Sequence, residues 1–336
     1  MADRVKWGVL GCALIARKCV IPAIQKSRNG RVHALATRLP AKAAKVVAEH
    51  KIGRCYDSYD ALIADPAIDA VYIPLPNHLH HPWTIKALSA GKHVLCEKPL
   101  ACNAREARAM ADQAAAAGKL LMEAFMYRFH PRSRRIKQLI GEGGIGDPCL
   151  SRSAFCFRMD DDMLSSGGNI RLKPDMGGGA LMDVGCYGVS VVRWFMDAEP
   201  LQVQAQAVYH PAGVDVHMAG TLGFTGDKLA VFEVSFIAAL QQTYTIVGSE
   251  GAIELPHDAF VPWEKDAVYT HRGRNDETGQ RHTVKGADEY QLMVEHFADA
   301  VQQKTNLNFS PDDSIANMRV LDAIAEAART GKTVRV

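Results

Sequence analysis

The sequence predicts an α/β protein. An N-terminal Rossmann domain, with a doubly wound parallel sheet, precedes a C-terminal α+β domain built on a large, mostly antiparallel, open-faced sheet. Three observations predict it. Over the first 124 residues short apolar runs alternate with helical patterns, as in a parallel sheet. The first run ends in the turn Gly8-Val9-Leu10-Gly11-Cys12-Ala13-Leu14-Ile15-Ala16, which opens a helix. Beyond residue 125 strands with polar–apolar alternation dominate. The expected domains are therefore 1–124, dinucleotide-binding, and 125–336, substrate-binding and oligomerising.

The elements follow in order. Residues 5–10 form a short apolar strand, and 13–27 have helical spacing with Pro22 as a kink or restart. Strands are expected at 32–37, 70–73, 93–96 and 120–124, with helices at 41–50, 82–90 and 104–117 between them. Gly118 is suited to cap the last helix. A basic helix then runs to about residue 140 and ends at Gly141-Glu142-Gly143-Gly144. Strands are expected at 149–158, 201–209, 220–224, 229–236 and 243–248. The turn Thr225-Gly226-Asp227-Lys228 joins two of these as a hairpin. Residues 165–169 read as a flexible loop, 177–196 as a helical segment and 311–329 as the closing helix.

Composition excludes several classes. The 39 Lys and Arg nearly balance the 37 Asp and Glu, and no basic stripe is interleaved with aromatics, so nucleic acid is not an expected partner. No apolar run approaches the roughly 20 residues that span a bilayer. The N-terminus reads as running directly into a strand without a signal peptide. Eight scattered cysteines, none in a C-x-x-C pair, suit a reducing cytoplasmic compartment rather than a disulfide frame or zinc site. Asn77-His78-Leu79-His80-His81 lacks a nearby cysteine or carboxylate cluster, so no metal is expected there. Asn77 and His78 are assigned to the cofactor cleft, and His80 or His81 to capping the next helix.

Ligands of doubly wound sheets bind beyond the carboxyl ends of the strands. In the first turn Gly11 takes the first glycine position of G-x-G-x-x-G/A and Ala16 the third, while Ala13 replaces the second glycine. Cys12, Ala13, Leu14 and Ile15 complete the turn, and the helix N-terminus behind it attracts phosphate. The second strand ends Ala36-Thr37-Arg38, with Lys42 a turn later and no carboxylate for a ribose 2′-hydroxyl. Arg38 suits a 2′-phosphate instead, so the expected cofactor is NADP. Pro74, Asn77, His78, Glu97 and Lys98 lie at later strand ends and are assigned to the same ligand.

Two motifs carry chemistry: Glu97-Lys98-Pro99, and Gly177-Gly178-Gly179-Ala180-Leu181-Met182-Asp183-Val184-Gly185-Cys186-Tyr187. Asp183 and Tyr187 are four apart and share a helical face. A lysine, a tyrosine and an aspartate suit proton transfer at a hydroxyl. Free tyrosine has a pKa of about 10, and a nearby ammonium lowers it.

These motifs, with Tyr127-Arg128-Phe129-His130-Pro131 between them, occur in order over nearly the whole chain. The combination resembles the Gfo/Idh/MocA oxidoreductase family. The resemblance implies NAD(P)-linked redox chemistry on sugars, cyclitols or dihydrodiols, at a site between a Rossmann domain and an open-faced sheet. It implies Lys98 as catalytic lysine, Asp183 as substrate contact, and Arg128 near the cofactor's nicotinamide or phosphate end. Tyr187 stands where many members carry histidine, which is similar to the branch of glucose-fructose oxidoreductase, dimeric dihydrodiol dehydrogenase and xylose dehydrogenase, where tyrosine is the acid/base. Ser190, where inositol dehydrogenase-like members often carry aspartate, argues against a cyclitol.

The expected function is NADP-dependent hydride transfer to or from a sugar or polyol. One alternative is a redox-neutral enzyme with tightly held cofactor, an aldose-aldose oxidoreductase or a redox-assisted lyase or glycosidase. Another is a non-catalytic NADP(H) sensor, against which the intact Lys98, Asp183 and Tyr187 speak. A homodimer through the C-terminal sheet is expected, with Leu229, Val231 and Val234 as candidate contacts.

Overall fold

The computed structural model describes residues 4–38 and 40–336; the side chains of residues 40–42 lie outside the described set. The chain forms two compact units. The first runs to Phe129 and includes Asp288–Ile315; the second comprises His130–Ala287 and Ala316–Val336. These units divide the chain differently from the sequence domains 1–124 and 125–336. Met126–Phe129 is a short 3-10 turn with all four residues buried. The Phe129 ring lies 5.2 Å from His296 and 6.3 Å from Phe309, which anchors both to the first unit. In the same unit the Glu289–Val301 helix sets Phe297 5.3 Å from Trp7, and its Glu295 carbonyl accepts from Asn29 Nδ2. A segment returning after the intervening residues 130–287 leaves no local mark in the sequence.

The first unit holds a six-stranded parallel sheet of β1 (Val5–Leu10), β2 (Gly30–Ala36), β3 (Arg54–Tyr56), β4 (Ala70–Ile73), β5 (His93–Cys96) and β6 (Leu121–Glu123). Its order is β3-β2-β1-β4-β5-β6. Connections run one way from β1 to β3 and the other way from β4 to β6, so the order reverses between β1 and β4, where doubly wound sheets bind ligands. All residues of β4 and β6 are buried, as expected of strands covered on both faces. The expected 13–27 helix has a π-turn at Ala16–Val20 followed by α-helix at Ile21–Lys26. Pro22 has no N–H to give to the Lys18 carbonyl, so the regular ladder is interrupted there. β3 and the Tyr59–Ala64 helix were not anticipated: β3 has three residues, and neither Arg54 nor Cys55 is buried.

The second unit holds nine strands: β7 (Pro148–Cys156), β8 (Gln202–Tyr209), β9 (Asp215–Gly223), β10 (Leu229–Ser235), β11 (Gln241–Gly248), β12 (Gly251–Leu255), β13 (Ala267–Gly273), β14 (Gln280–Val284) and β15 (Val334–Arg335). The order is β14-β13-β12-β11-β7-β10-β9-β8-β15. Only the β7–β10 pair is parallel. The Cys186–Met196 helix packs on β7 and covers one face. Alternation along β10 leaves Leu229 54% and Val231 40% exposed, while Val234 is 1% exposed. Val234 therefore belongs to the core and not, as expected, to the open face: a period of two puts it with Ala230 and Phe232. The expected loop at 165–169 also needs correction, since Ser165 and Ser166 end the Asp161–Ser166 helix.

Candidate active site

The nucleotide turn is built as its glycine requires. Gly11 has φ +95°, and a Cβ there would stand 3.2 Å from Leu75 Cδ2 and 3.4 Å from the Tyr59 hydroxyl. Its N–H donates to the Ala36 carbonyl at 2.7 Å, tying the turn to the end of β2. Cys12 and Ala13 lead into the helical turn that begins at Leu14 and Ile15, where the first N–H groups lack intrahelical partners. Leu14 is exposed. Thr37 is buried and donates its N–H to Tyr56 O; Arg38 is exposed beside it. Burial pushes the Tyr59 phenol up, and the Arg38 guanidinium opposes this by charge and hydrogen bonding. Gly11, Arg38 and Tyr59 thus meet at one place. Tyr59 was not anticipated, because only the tertiary course of its helix brings it to Gly11. The Lys42 side chain lies outside the described residues.

Further strand ends complete the first unit. Pro74 follows β4 and is buried, and Asn77 and His78 form a 3-10 turn with Leu79. The His78 Nδ1 is buried without a hydrogen-bond partner among the described residues. Glu97 is buried and accepts from the Tyr72 hydroxyl at 2.5 Å, and its N–H donates to Ile73 O at 3.1 Å. Lys98 is half-buried, and its peptide bond to Pro99 is cis. Arg128, assigned from the resemblance to the cofactor, is 5% exposed in the interior of its unit. Its guanidinium pairs with Asp313 at 2.9 Å and lies 4.6 Å over the Phe309 ring, both on the returning segment. His80 does not act as a capping side chain. It is fully buried, with Nδ1 2.8 Å from Pro99 O and Nε2 2.7 Å from Leu75 O.

In the second unit the glycine run fixes an arginine that the sequence did not single out. Gly179 has φ +115°, and a Cβ there would fall 2.2 Å from Asp215 Oδ1. Asp215 is buried and accepts the Leu181 N–H at 2.7 Å, holding the start of the helical segment. The Gly179 N–H donates to the Arg171 carbonyl at 2.8 Å. The Arg171 side chain in turn donates from Nε to Asp183 Oδ2 at 2.5 Å. Asp183 sits in a π-turn, Leu181–Gly185, and Tyr187 in the α-helix that follows. The Asp183 carboxylate holds Arg171 further toward its charged form, and the Tyr187 phenol adds in the same direction. Tyr187 is 5% exposed, with its ring 5.5 Å from Phe155 and 5.7 Å from Phe260. Asp183 and Tyr187 both act on the charge of Arg171, which the sequence did not single out. Among the described residues no group of three or more His, Cys, Asp or Glu is arranged to hold a metal ion.

This geometry agrees with comparisons to known proteins. Residues 5–125 match the model of an oxidoreductase family with an NAD-binding Rossmann fold, and residues 133–254 match the GFO/IDH/MocA C-terminal domain. The chain belongs to the Gfo/Idh/MocA oxidoreductase family. It is 39% identical over 330 residues to D-xylose 1-dehydrogenase (NADP(+)) 2 of Haloferax volcanii, covering 98% of this chain and 99% of that protein. It is 33% identical to trans-1,2-dihydrobenzene-1,2-diol dehydrogenase of Xenopus tropicalis, covering 76% and 77% of the two chains. Among solved structures, the 3-ketoreductase KijD10 of Actinomadura kijaniata, in complex with NADP and TDP-benzene, matches with TM-score 0.89 and 29% identity over 97% and 98% of the chains. The first unit also fits a dinucleotide on its own geometry. It offers a turn whose Gly11 takes φ +95°, where a side chain would be strained, a helix start behind it, an arginine at the end of β2 and an orphan ring nitrogen at His78.

Proposed function

We propose that this protein is an NADP-dependent sugar dehydrogenase of the aldose type, oxidising a hydroxyl of a cyclic sugar. The carrying observation is the full-length similarity to a D-xylose 1-dehydrogenase (NADP(+)). Arg38 at the end of β2, where NAD sites usually hold a carboxylate, supports the choice of NADP. Bound NADP supplies the hydride acceptor. Tyr187 takes the hydroxyl proton, and Lys98 supplies the ammonium that favours its phenolate. Arg171 supports the same phenolate with a second positive charge, itself held by Asp183. Asp183 thereby orients the group that faces Tyr187, in addition to any contact with substrate.

The test is a scan of D-xylose, other aldoses and trans-dihydrobenzenediol with NADP+ and NAD+. D-xylose or a related aldose should reduce NADP+ with the highest kcat/KM. Turnover of the diol alone would replace this reading with the dihydrodiol dehydrogenase one, for which the similarity over about three quarters of the chain is the supporting observation. Cofactor that stays bound through gel filtration and turns over only in sugar pairs would indicate the redox-neutral alternative. NADP should bind more tightly than NAD by fluorescence titration. A charge-assisted contact to the 2′-phosphate is worth roughly 1.5–3 kcal/mol, so Arg38→Ala should narrow the gap about tenfold or more.

We also infer a homodimer in the cytoplasm. The open face of the nine-stranded sheet exposes Leu229, Val231 and Val208, and such apolar surface commonly marks an interface. Eight free thiols, with Cys55 and Cys149 exposed, suit a reducing compartment. Light scattering at micromolar concentration should give a dimer, and Val231→Lys a monomer. A monomeric wild type overturns the dimer.

A further inference from the structure

Two buried side chains grip one peptide unit next to Lys98. The peptide between Pro99 and Leu100 has one acceptor and one donor. Its carbonyl, Pro99 O, lies 2.8 Å from His80 Nδ1, and its N–H, on Leu100, donates to Glu123 Oε1 at 2.9 Å. Both gripping residues are buried, His80 fully and Glu123 to 2% exposure. They come from different elements: His80 opens the His80–Ser89 helix and Glu123 ends β6. Leu75 O lies 2.7 Å from its Nε2. The Pro99 ring fixes φ, which leaves few soft torsions between this held peptide and Lys98. On the other side of Lys98, Glu97 is tied through its N–H to Ile73 O and through its carboxylate to the Tyr72 hydroxyl. Lys98 is thus a half-buried residue whose two neighbours are both fixed.

We propose that His80 and Glu123 are positioning residues that hold the Pro99–Leu100 peptide at both ends and so set the place of the Lys98 side chain. The inference rests on the reading of Lys98 as part of the reacting site. Neither residue touches the reacting atoms, and each acts through the backbone beside Lys98. Misplacing a reacting group by about 1 Å costs up to about 10²-fold in rate, which is the size of effect a lost grip produces. Glu123 grips in either protonation state, because Oε1 remains an acceptor. A neutral imidazole carries one N–H: in the Nδ1–H tautomer it donates to Pro99 O beside Lys98, and only the imidazolium donates to Leu75 O at the end of β4 as well.

Side-chain amides separate these roles. Asn at position 80 places its amide nitrogen close to where Nδ1 lies, and Gln places it closer to Nε2. With D-xylose and NADP+, His80→Asn should keep kcat within about threefold, while His80→Gln and His80→Ala should lower it about 10- to 100-fold. Glu123→Gln, which keeps an acceptor for Leu100, should stay within about threefold of wild type, and Glu123→Ala should fall with His80→Ala. In all five the NADP dissociation constant should move less than about threefold, and Lys98→Ala run beside them should lose more turnover than any. Hydrogen exchange over residues 97–103 gives a readout that needs no substrate: the Leu100 amide should be protected in wild type and Glu123→Gln and exchange fast in Glu123→Ala. Equal turnover in His80→Asn and His80→Gln, or wild-type turnover or unchanged Leu100 exchange in Glu123→Ala, overturns the positioning role. If Lys98→Ala itself keeps full turnover, the reading of Lys98 fails instead. If D-xylose is not turned over by wild type, the exchange measurement still decides the grip. If His80→Ala does not fold, the Asn and Gln pair carries the test.

Discussion

At the scale of the residue, Tyr187 carries the sharpest expectation. Its phenol lies among aromatic rings, with the charge of Arg171 acting on it, and its removal leaves packing nearly intact. Tyr187→Phe should therefore lower kcat by about 10²–10⁴-fold while NADP still binds, the usual contribution of a general acid/base. Lys98→Ala should cost at least as much, and the double variant little more than either single one, because the proposed mechanism has the two act as a unit. Steady-state kinetics beside a cofactor titration checks this; near-normal turnover in Tyr187→Phe sinks the assignment. Tyr187, Asp183 and Lys98 could be put forward from the sequence because their types and motifs are local. Arg171 and Tyr59 could not. Each reaches its site through a contact distant in sequence, Arg171 on Asp183 and Tyr59 beside Gly11.

At the scale of the element, the glycine run is the tightest local constraint. It holds Arg171 and frees the N–H of Leu181 for Asp215. Gly179→Ala would add a Cβ 2.2 Å from Asp215 Oδ1 at a backbone angle of +115°. We expect it to cost about 2–3 kcal/mol or more in denaturant unfolding and to displace Arg171. Gly168→Ala, whose Cβ would meet only Ser166 Oγ at 3.6 Å, is the control and should be near neutral. An equal loss in both would show that the loop, not the Asp215 contact, sets the effect. The sequence marked this run as a place of close approach. It did not show what approaches, because Asp215 belongs to a strand 36 residues further along. β8, β10 and β11 were legible, whereas β12, β13 and β14 were not expected and three-residue β3 offered no period to detect.

At the scale of the whole molecule, both units carry a histidine that folding holds neutral. His93 Nδ1 accepts the Leu120 N–H in the first unit, and His130 Nδ1 accepts the Arg132 N–H in the second. Burial pushes each imidazole down from 6.5 to about 4. A depressed folded-state value gives stability that is present above the unfolded pKa and is lost as pH falls through the folded one. Both units should therefore weaken between pH 6.5 and 4, by about 1–3 kcal/mol per histidine. Glu123 acts in the opposite sense, since burial pushes its carboxyl up to about 7. Thermal unfolding across this range, in wild type and in a His93→Asn, His130→Asn double variant that keeps both acceptors, checks the origin. An acid limb unchanged in the double variant removes these histidines as its cause.

The sequence by itself determined the class of this protein. Its alternating first third, its nucleotide turn and its two motifs are local patterns, and backbone sterics and side-chain periodicity convert local patterns directly into elements. Tertiary structure alone decided that residues 288–315 complete the first unit, that Arg128 pairs with Asp313 inside it, that Val234 faces the core, and that His80 grips the backbone beside Lys98. Each of these depends on contacts between residues far apart in the chain, or on which sheet face a partner element covers. Neither is encoded in the spacing of neighbouring residues.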